Sequence, residues 1–236
     1  MRVGILGGTG PLGRGLGIRL CAAGTPVTIG SRDPERAVAV VDELLGRWPD
    51  RGLAMDGGGN DRAAAADVVV VATPWDAAVT TARSLAPQLS GKLVVSVANA
   101  LVKQGRELHA LVPARGSIAA ALQAELPDAE VAAAGHHLPA ADLEDLDRRL
   151  DADVLVCSDH PGARRRAAEL LGAIDGLRLL EAGTLAQASA VEAFTAVLVN
   201  LNIRYKAHST LRLAGLDHVG ADGAAGAGAG DRGSAR

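Results

Sequence analysis

The stretch that most constrains this chain is its first: Val3-Gly4-Ile5-Leu6, then Gly7-Gly8-Thr9-Gly10-Pro11-Leu12-Gly13. The apolar run reads as a buried strand broken at Gly7 and Gly8. Apolar residues then resume at a helical interval, at Leu12, Leu16 and Leu20. Gly8, Thr9, Gly10, Pro11, Leu12 and Gly13 thus form a G-x-G-x-x-G between a strand and a helix, the context that separates a dinucleotide fingerprint from a chance spacing. The first glycine permits the tight turn, and the second lets the backbone approach a pyrophosphate. The third lets helix and strand pack closely, so that phosphates meet the free N–H groups at the helix N-terminus.

The second strand, Pro26 to Gly30, carries the next specific signal at its end. Enzymes that take NAD usually place an Asp or Glu there to bond the ribose 2′-hydroxyl. This chain has Gly30-Ser31-Arg32, with Arg36 one helical turn on. A carboxylate would repel a 2′-phosphate, whereas a hydroxyl and guanidinium groups hold one through charge-assisted hydrogen bonds. The nucleotide expected is therefore NADP. A helix follows from Pro34 to Trp48 with Asp33 as its cap, then a short strand near Leu53 and a loop at Gly57-Gly58-Gly59-Asn60. After a helical turn at 63–66, the valine run 67–72 reads as a strand covered on both faces. It ends in Thr73-Pro74-Trp75, where a cofactor would cross the sheet.

Farther on, a helix is expected over 77–89, a strand over 93–97, a helix over 116–126 and a strand over 130–135. That last strand delivers His136-His137-Leu138-Pro139 at its carboxyl end, where open α/β sheets bind ligands. Neighbours on a strand point to opposite faces, so at most one of the two histidines faces a cleft. An adjacent pair without a third ligand is a poor metal site, and no metal is expected. A helix over 141–150, strands over 154–158 and 178–182, and an intervening helix from Pro161 follow. One long helical pattern runs from Leu185 to about Leu213 and stops at Gly215. Residues 217–236 are mostly Gly and Ala without periodicity, which reads as a disordered tail.

Composition narrows the setting. The 236 residues suit one large domain or one with a small appendage. With 48% hydrophobic but only 2% aromatic residues, the core must be built of Ala, Val and Leu. A net charge of −3 gives no reason to expect nucleic acid or an anionic membrane as partner. Cys21 and Cys157 lie far apart in apolar runs, as buried free thiols of a reducing cytoplasm would. No apolar run reaches the ~18 residues that suggest a membrane span, and no signal peptide is expected before the first strand.

Taken together, Gly7-Gly8-Thr9-Gly10, Gly30-Ser31-Arg32, Thr73-Pro74-Trp75, His136-x-Leu138-Pro139-Ala140-Ala141 and Asp175-Gly176-Leu177-Arg178 resemble, in order and spacing, the NADPH-dependent reductases of the deazaflavin coenzyme F420. The resemblance implies a Rossmann-type, doubly wound and mainly parallel α/β sheet of about eight strands. The NADP-binding domain would span 1–183, a small C-terminal helical element 184–216, and the assembly would be a homodimer. It further implies NADP(H) held by Thr9 to Leu12, Ser31, Arg32 and Arg36, with the nicotinamide beside Thr73, Pro74, Trp75 and Ala140. Coenzyme F420, the co-substrate, would stack on that ring with His136, Leu138 and Pro139 near it. Hydride then passes directly between the rings. The protein has only to position them, without a catalytic nucleophile.

Two other classes share the fingerprint. Hydroxyacid, imine and pyrroline-carboxylate reductases carry a long helical domain after the sheet, for which the patterned stretch after Gly183 is short. A non-catalytic NADP sensor would bind the nucleotide without turnover. Fold alone does not choose among them.

Overall fold

A computed structural model of the protein describes residues 1–216; the tail expected to be disordered lies outside the described residues. The chain alternates strands and helices: β1 (Val3–Leu6), α1 (Pro11–Ala22), β2 (Val27–Ser31), α2 (Pro34–Arg47), β3 (Met55–Gly59), α3 (Asn60–Ala64) and β4 (Val68–Val71). Then come α4 (Trp75–Ser84), α5 (Ala86–Leu89), β5 (Leu93–Ser96), a hairpin of β6 (Leu101–Gln104) and β7 (Glu107–Ala110), α6 (Ile118–Glu125) and β8 (Glu130–Ala133). The rest is α7 (Ala140–Glu144), β9 (Ala152–Cys157), α8 (Pro161–Gly172), β10 (Leu177–Gly183) and α9 (Ala188–Tyr205).

Eight strands form one sheet in the order β10-β9-β8-β5-β4-β1-β2-β3. It is parallel from β3 across to β8 and between β9 and β10, with β9 meeting β8 antiparallel at Ala133 and Cys157. Successive strand residues feed opposite faces. Val3, Ile5, Val70 and Val95 pack with Leu16 and Leu20 of α1 and Ala167 and Leu171 of α8. Leu6, Val69, Val71 and Val94 pack on the other face with Ala78, Ala82, Leu122, Ala188 and Val191. This two-sided burial accounts for the unbroken valine run of β4 and makes the sheet doubly wound.

The expected elements shift where tertiary bonds outweigh local pattern. The strand expected near Leu53 lies at Met55–Gly59; of the loop expected at 57–60, the three glycines are that strand's second half and Asn60 opens α3. Here β3 pairs residue for residue with Val27–Ser31, which overrides the poor strand propensity of three glycines. The helix expected over 77–89 is two, α4 and α5, broken ahead of Pro87, which has no N–H to give. The expected 141–150 helix ends at Glu144 because the Arg19 guanidinium takes the carbonyls of Asp142, Leu143, Asp145 and Arg148.

The long terminal helix is also shorter than expected. It stops at Tyr205 with Lys206 in the left-handed region at φ 49°. The chain then runs back along β9, where Leu211 accepts from Asp153 N at 2.7 Å and Leu213 N donates to the Asp153 carboxylate at 2.6 Å. Arg178 holds that buried carboxylate through two bonds of 2.7 Å. Four ladder positions pair Leu101–Gln104 with Glu107–Ala110 in a hairpin the sequence did not signal. Asn200 of α9 bonds both the N–H and the carbonyl of Leu108 at 2.8 Å.

Candidate active site

The strand order turns at β1, whose two neighbours, β2 and β4, are reached in opposite directions, and a crevice opens at the carboxyl ends there. A cavity of about 480 Å³ occupies it. Its wall is built from the loop after β1, the end of β2, the segment after β4 and the segment after β5.

The fingerprint glycines divide their work differently from the expected roles. The left-handed turn falls on Gly7, at φ 66°, and not on Gly8. A side chain at Gly7 would also strike Thr73. Gly13 keeps its expected part, since a Cβ there would lie 2.6 Å from the Cα of Gly8. Asn60 fixes the loop by accepting from Gly7 N at 3.1 Å. The result aims the start of α1 at the cavity. Gly10 precedes the helix with no side-chain cap, and Pro11 fills the first position, where a missing N–H costs nothing. The free N–H groups and the positive end of the helix dipole suit an anion.

At the end of β2, Ser31, Arg32 and Arg36 line the same cavity. Neither arginine has an ion pair among the described residues. The carboxylate that follows Arg32 in the chain, Asp33, caps α2, accepting from Glu35 N and Arg36 N. Two unpaired guanidinium groups beside a helix N-terminus fit the 2′-phosphate and pyrophosphate of NADP. Across the cavity lie Thr73, Pro74 and Trp75. The Thr73 hydroxyl is buried without a hydrogen-bond partner among the described residues, a free polar atom of the kind a nicotinamide carboxamide could satisfy. The Trp75 indole lines the cavity while its N–H donates to Leu101 O at 3.1 Å, so one ring serves both as wall and as anchor of the β6–β7 hairpin.

Thr9, Gly10, Pro11, Leu12, Ser31, Arg32, Arg36, Thr73, Pro74 and Trp75 are thus brought to one cavity. Gly8 and Gly13 stand behind it as packing. His136, Leu138, Pro139 and Ala140 lie outside its lining, on the neighbouring strand end. Leu138 packs in the core, and Ala140 begins α7 against α1. The strand expected over 130–135 ends at Ala133, Gly135 turns the chain at φ 75°, and the two histidines lie in the turn beyond it with their rings diverging. The His137 ring bonds Asp153 O at 2.7 Å and is structural. The His136 ring turns the other way, toward α9, with both nitrogens buried and without a hydrogen-bond partner among the described residues. Burial holds it neutral, its pKa lowered to about 3.

The structure adds residues that sequence reasoning did not assign: Asn60, Val97, Ala98, Asn99 and Leu101 on the wall. The position of Asn99 at a strand end was the signal available. Its amide donates to His136 O at 2.9 Å and its carbonyl accepts from Thr195 at 3.1 Å, tying cavity, histidine loop and α9 together.

Comparison with known proteins decides the family. Residues 2–100 match the model of the coenzyme F420-dependent NADP oxidoreductases. The chain is 35% identical over 223 residues to the F420-dependent NADP reductase of Methanocaldococcus jannaschii, covering 92% of this chain and all of that one. This chain belongs to the F420-dependent NADP reductase family. A second such reductase, from Methanothermobacter thermautotrophicus, is 36% identical over 86% of this chain and 90% of its own. The crystal structure of a candidate F420-dependent NADP reductase from Arthrobacter sp. FB24 superposes with a TM-score of 0.78 at 25% identity, over 91% of this chain and 99% of that one. Among the described residues no helix is long and apolar enough to cross a membrane.

Proposed function

We propose that this protein is an oxidoreductase that moves a hydride reversibly between NADP(H) and the deazaflavin coenzyme F420. The observation that carries the nucleotide half is the pair of unpaired arginines facing the same cavity as the uncapped start of α1. Family membership carries the acceptor half. NADPH supplies the hydride, and the deazaflavin takes it up with one proton from solvent, leaving NADP⁺ and the reduced deazaflavin.

The chain's own residues bind and orient. Thr9 to Leu12 and the α1 N-terminus hold the pyrophosphate; Ser31, Arg32 and Arg36 hold the 2′-phosphate. Thr73, Pro74, Trp75 and Ala140 flank the nicotinamide. His136, Leu138 and Pro139 receive the acceptor ring on the adjoining strand end. Two flat rings held face to face need no nucleophile, because proximity and orientation supply most of the rate. In this reading residues 1–183 form the NADP-binding unit and 184–216 the helical element that closes the acceptor side. The protein works in the cytoplasm as a homodimer.

The test is to mix purified protein with NADPH and either coenzyme F420 or riboflavin phosphate, following NADPH absorbance. Oxidation with coenzyme F420, and deuterium passing from one face of labelled NADPH to the deazaflavin without exchange into water, is the expected result. NADPH oxidation by an imine or keto acid with none by coenzyme F420 would replace this reading. Binding without turnover of any acceptor would make the protein a sensor.

A further inference from the structure

Helix α9 brings Glu192 and, one turn on, Thr195 to the strand ends beside the cavity. Glu192 is buried, at 4% exposure, and a buried carboxylate requires partners. Its two oxygens accept from the N–H groups of Ile118 and Ala119, at 2.8 and 3.1 Å, and so cap α6 from another element. Ser117 caps the same helix through Ala120 N at 3.0 Å. Each Glu192 oxygen has then accepted one hydrogen bond and keeps further acceptor capacity. What Oε1 next faces, at 4.0 Å, is Nε2 of His136.

His136 is held at its other end too. Its carbonyl accepts from Asn99, and Asn99 accepts from Thr195. One face of α9 therefore governs the backbone of His136 through Thr195 and Asn99, and looks directly at its ring through Glu192. Four ångströms is longer than a hydrogen bond, but contacts of this kind commonly tighten once substrates are in place.

We propose that Glu192 is a positioning residue for hydride transfer: its carboxyl group orients the His136 imidazole, and with it the loop 136–139 that receives the acceptor ring, against Asn99 on the cavity wall. The proposal rests on the reading of that loop as the acceptor side. The pair is not an ion pair. Burial raises the Glu192 carboxyl to about 7 and keeps the imidazole neutral, so one proton between them suffices for a hydrogen bond. The other titratable side chains facing the pair are His137, beside His136, and Cys157 at the end of β9.

The experiment compares Glu192→Ala, Glu192→Gln and Ser117→Ala in the full chain. Ser117→Ala removes the other α6 cap and leaves the His136 contact alone. Steady-state kinetics with coenzyme F420 and NADPH, Tm, and ¹⁵N NMR of the His136 ring (assigned through His136→Gln) are read on each. Glu192→Ala should raise KM for the deazaflavin at least tenfold with NADPH affinity within twofold. Glu192→Gln should recover most of that loss, and Ser117→Ala should lower Tm without raising KM. The His136 ring should show one fixed tautomer in the wild type and an averaged one in Glu192→Ala. Unchanged ring signals in Glu192→Ala would overturn the proposal, as would a Ser117→Ala variant that raises KM equally. Where Glu192→Ala does not fold, Glu192→Gln is read in its place by the ring signal, which must stay fixed as in the wild type. Should the wild type fail to reduce coenzyme F420, the proposed function falls, while the ring signal still decides the role of Glu192.

Discussion

Arg32 is exposed and unpaired, so its worth lies in what it binds. Replacing it with Ala should weaken NADPH by about 2 kcal/mol, near thirtyfold in Kd, if one charge-assisted contact to the 2′-phosphate is lost. NADH, which lacks that phosphate, should bind much as before, and titration calorimetry with both nucleotides separates the cases. Equal losses would place Arg32 elsewhere than at the 2′-phosphate. Glu192 and His136 offer a test in pH. The Glu192 carboxyl rises from an ordinary 4.5 to about 7 in the folded protein. The folded state thus binds the extra proton between those values, and stability falls as pH rises through that window. His136 acts oppositely: its lowered pKa gives stability present above about 6.5 and lost as pH falls toward 3. Relative to the wild type, Glu192→Gln should therefore gain stability from pH 4.5 to 7 and hold the difference above it, by urea unfolding; a pH-independent difference would deny the raised carboxyl. The arginines were legible because strand end, spacing and charge lie together in the sequence. Glu192 and Asn99 were not, since their partners lie 74 and 37 residues away in the chain.

Elements were legible where burial is two-sided or a cap is local. The valines of β4 and the Asp33-Pro34 start of α2 needed no tertiary information. Boundaries failed where a distant side chain intervened, and Arg19 is the clearest case. Its guanidinium sits at the end of α7 and donates to Leu143 O at 2.9 Å, Asp142 O at 2.8 Å and Arg148 O at 2.7 Å, and also to Asp145 O. Nothing near residue 145 in the sequence signals a donor from α1. Arg19→Met should leave those carbonyls unsatisfied and cost about 3 kcal/mol or more, net of the relieved burial of charge. Because α7 carries Ala140 and follows the histidine loop, amide exchange over 136–148 should quicken more than over β1 or β4. Urea unfolding and hydrogen exchange measure both. A stability loss under 1 kcal/mol would show that the carbonyls find other partners.

At the scale of the whole molecule, the alternation of strands and helices with a fingerprint at the first turn was enough to give a doubly wound sheet. The hairpin β6–β7 and the reversal at β9 were not accessible, because each depends on side chains that meet only after folding. The hairpin bears most on the proposed homodimer. Phe194, Val197, Leu201 and Tyr205 recur on α9 at helical intervals, and all are exposed, Tyr205 at 70%. Beside them Arg106 and Glu107 of the hairpin complete a groove with Val197, Leu201 and Ile203. The inner face of the same helix is buried, so α9 is apolar on both sides, which a helix bordered by water on one side has no reason to be. An apolar stripe of this length, rimmed by charge, has the composition of an interface core. Two copies related by a twofold axis could each present this stripe to the other. Gel filtration with light scattering should then give twice the chain mass for the wild type and one chain mass for Leu201→Glu. Because Glu192 and Thr195 lie on the opposite face of α9, loosening the helix should also raise KM for the acceptor while NADPH binding holds. A wild type that runs as a monomer at micromolar concentration would leave the stripe free for a different partner and refute the dimer.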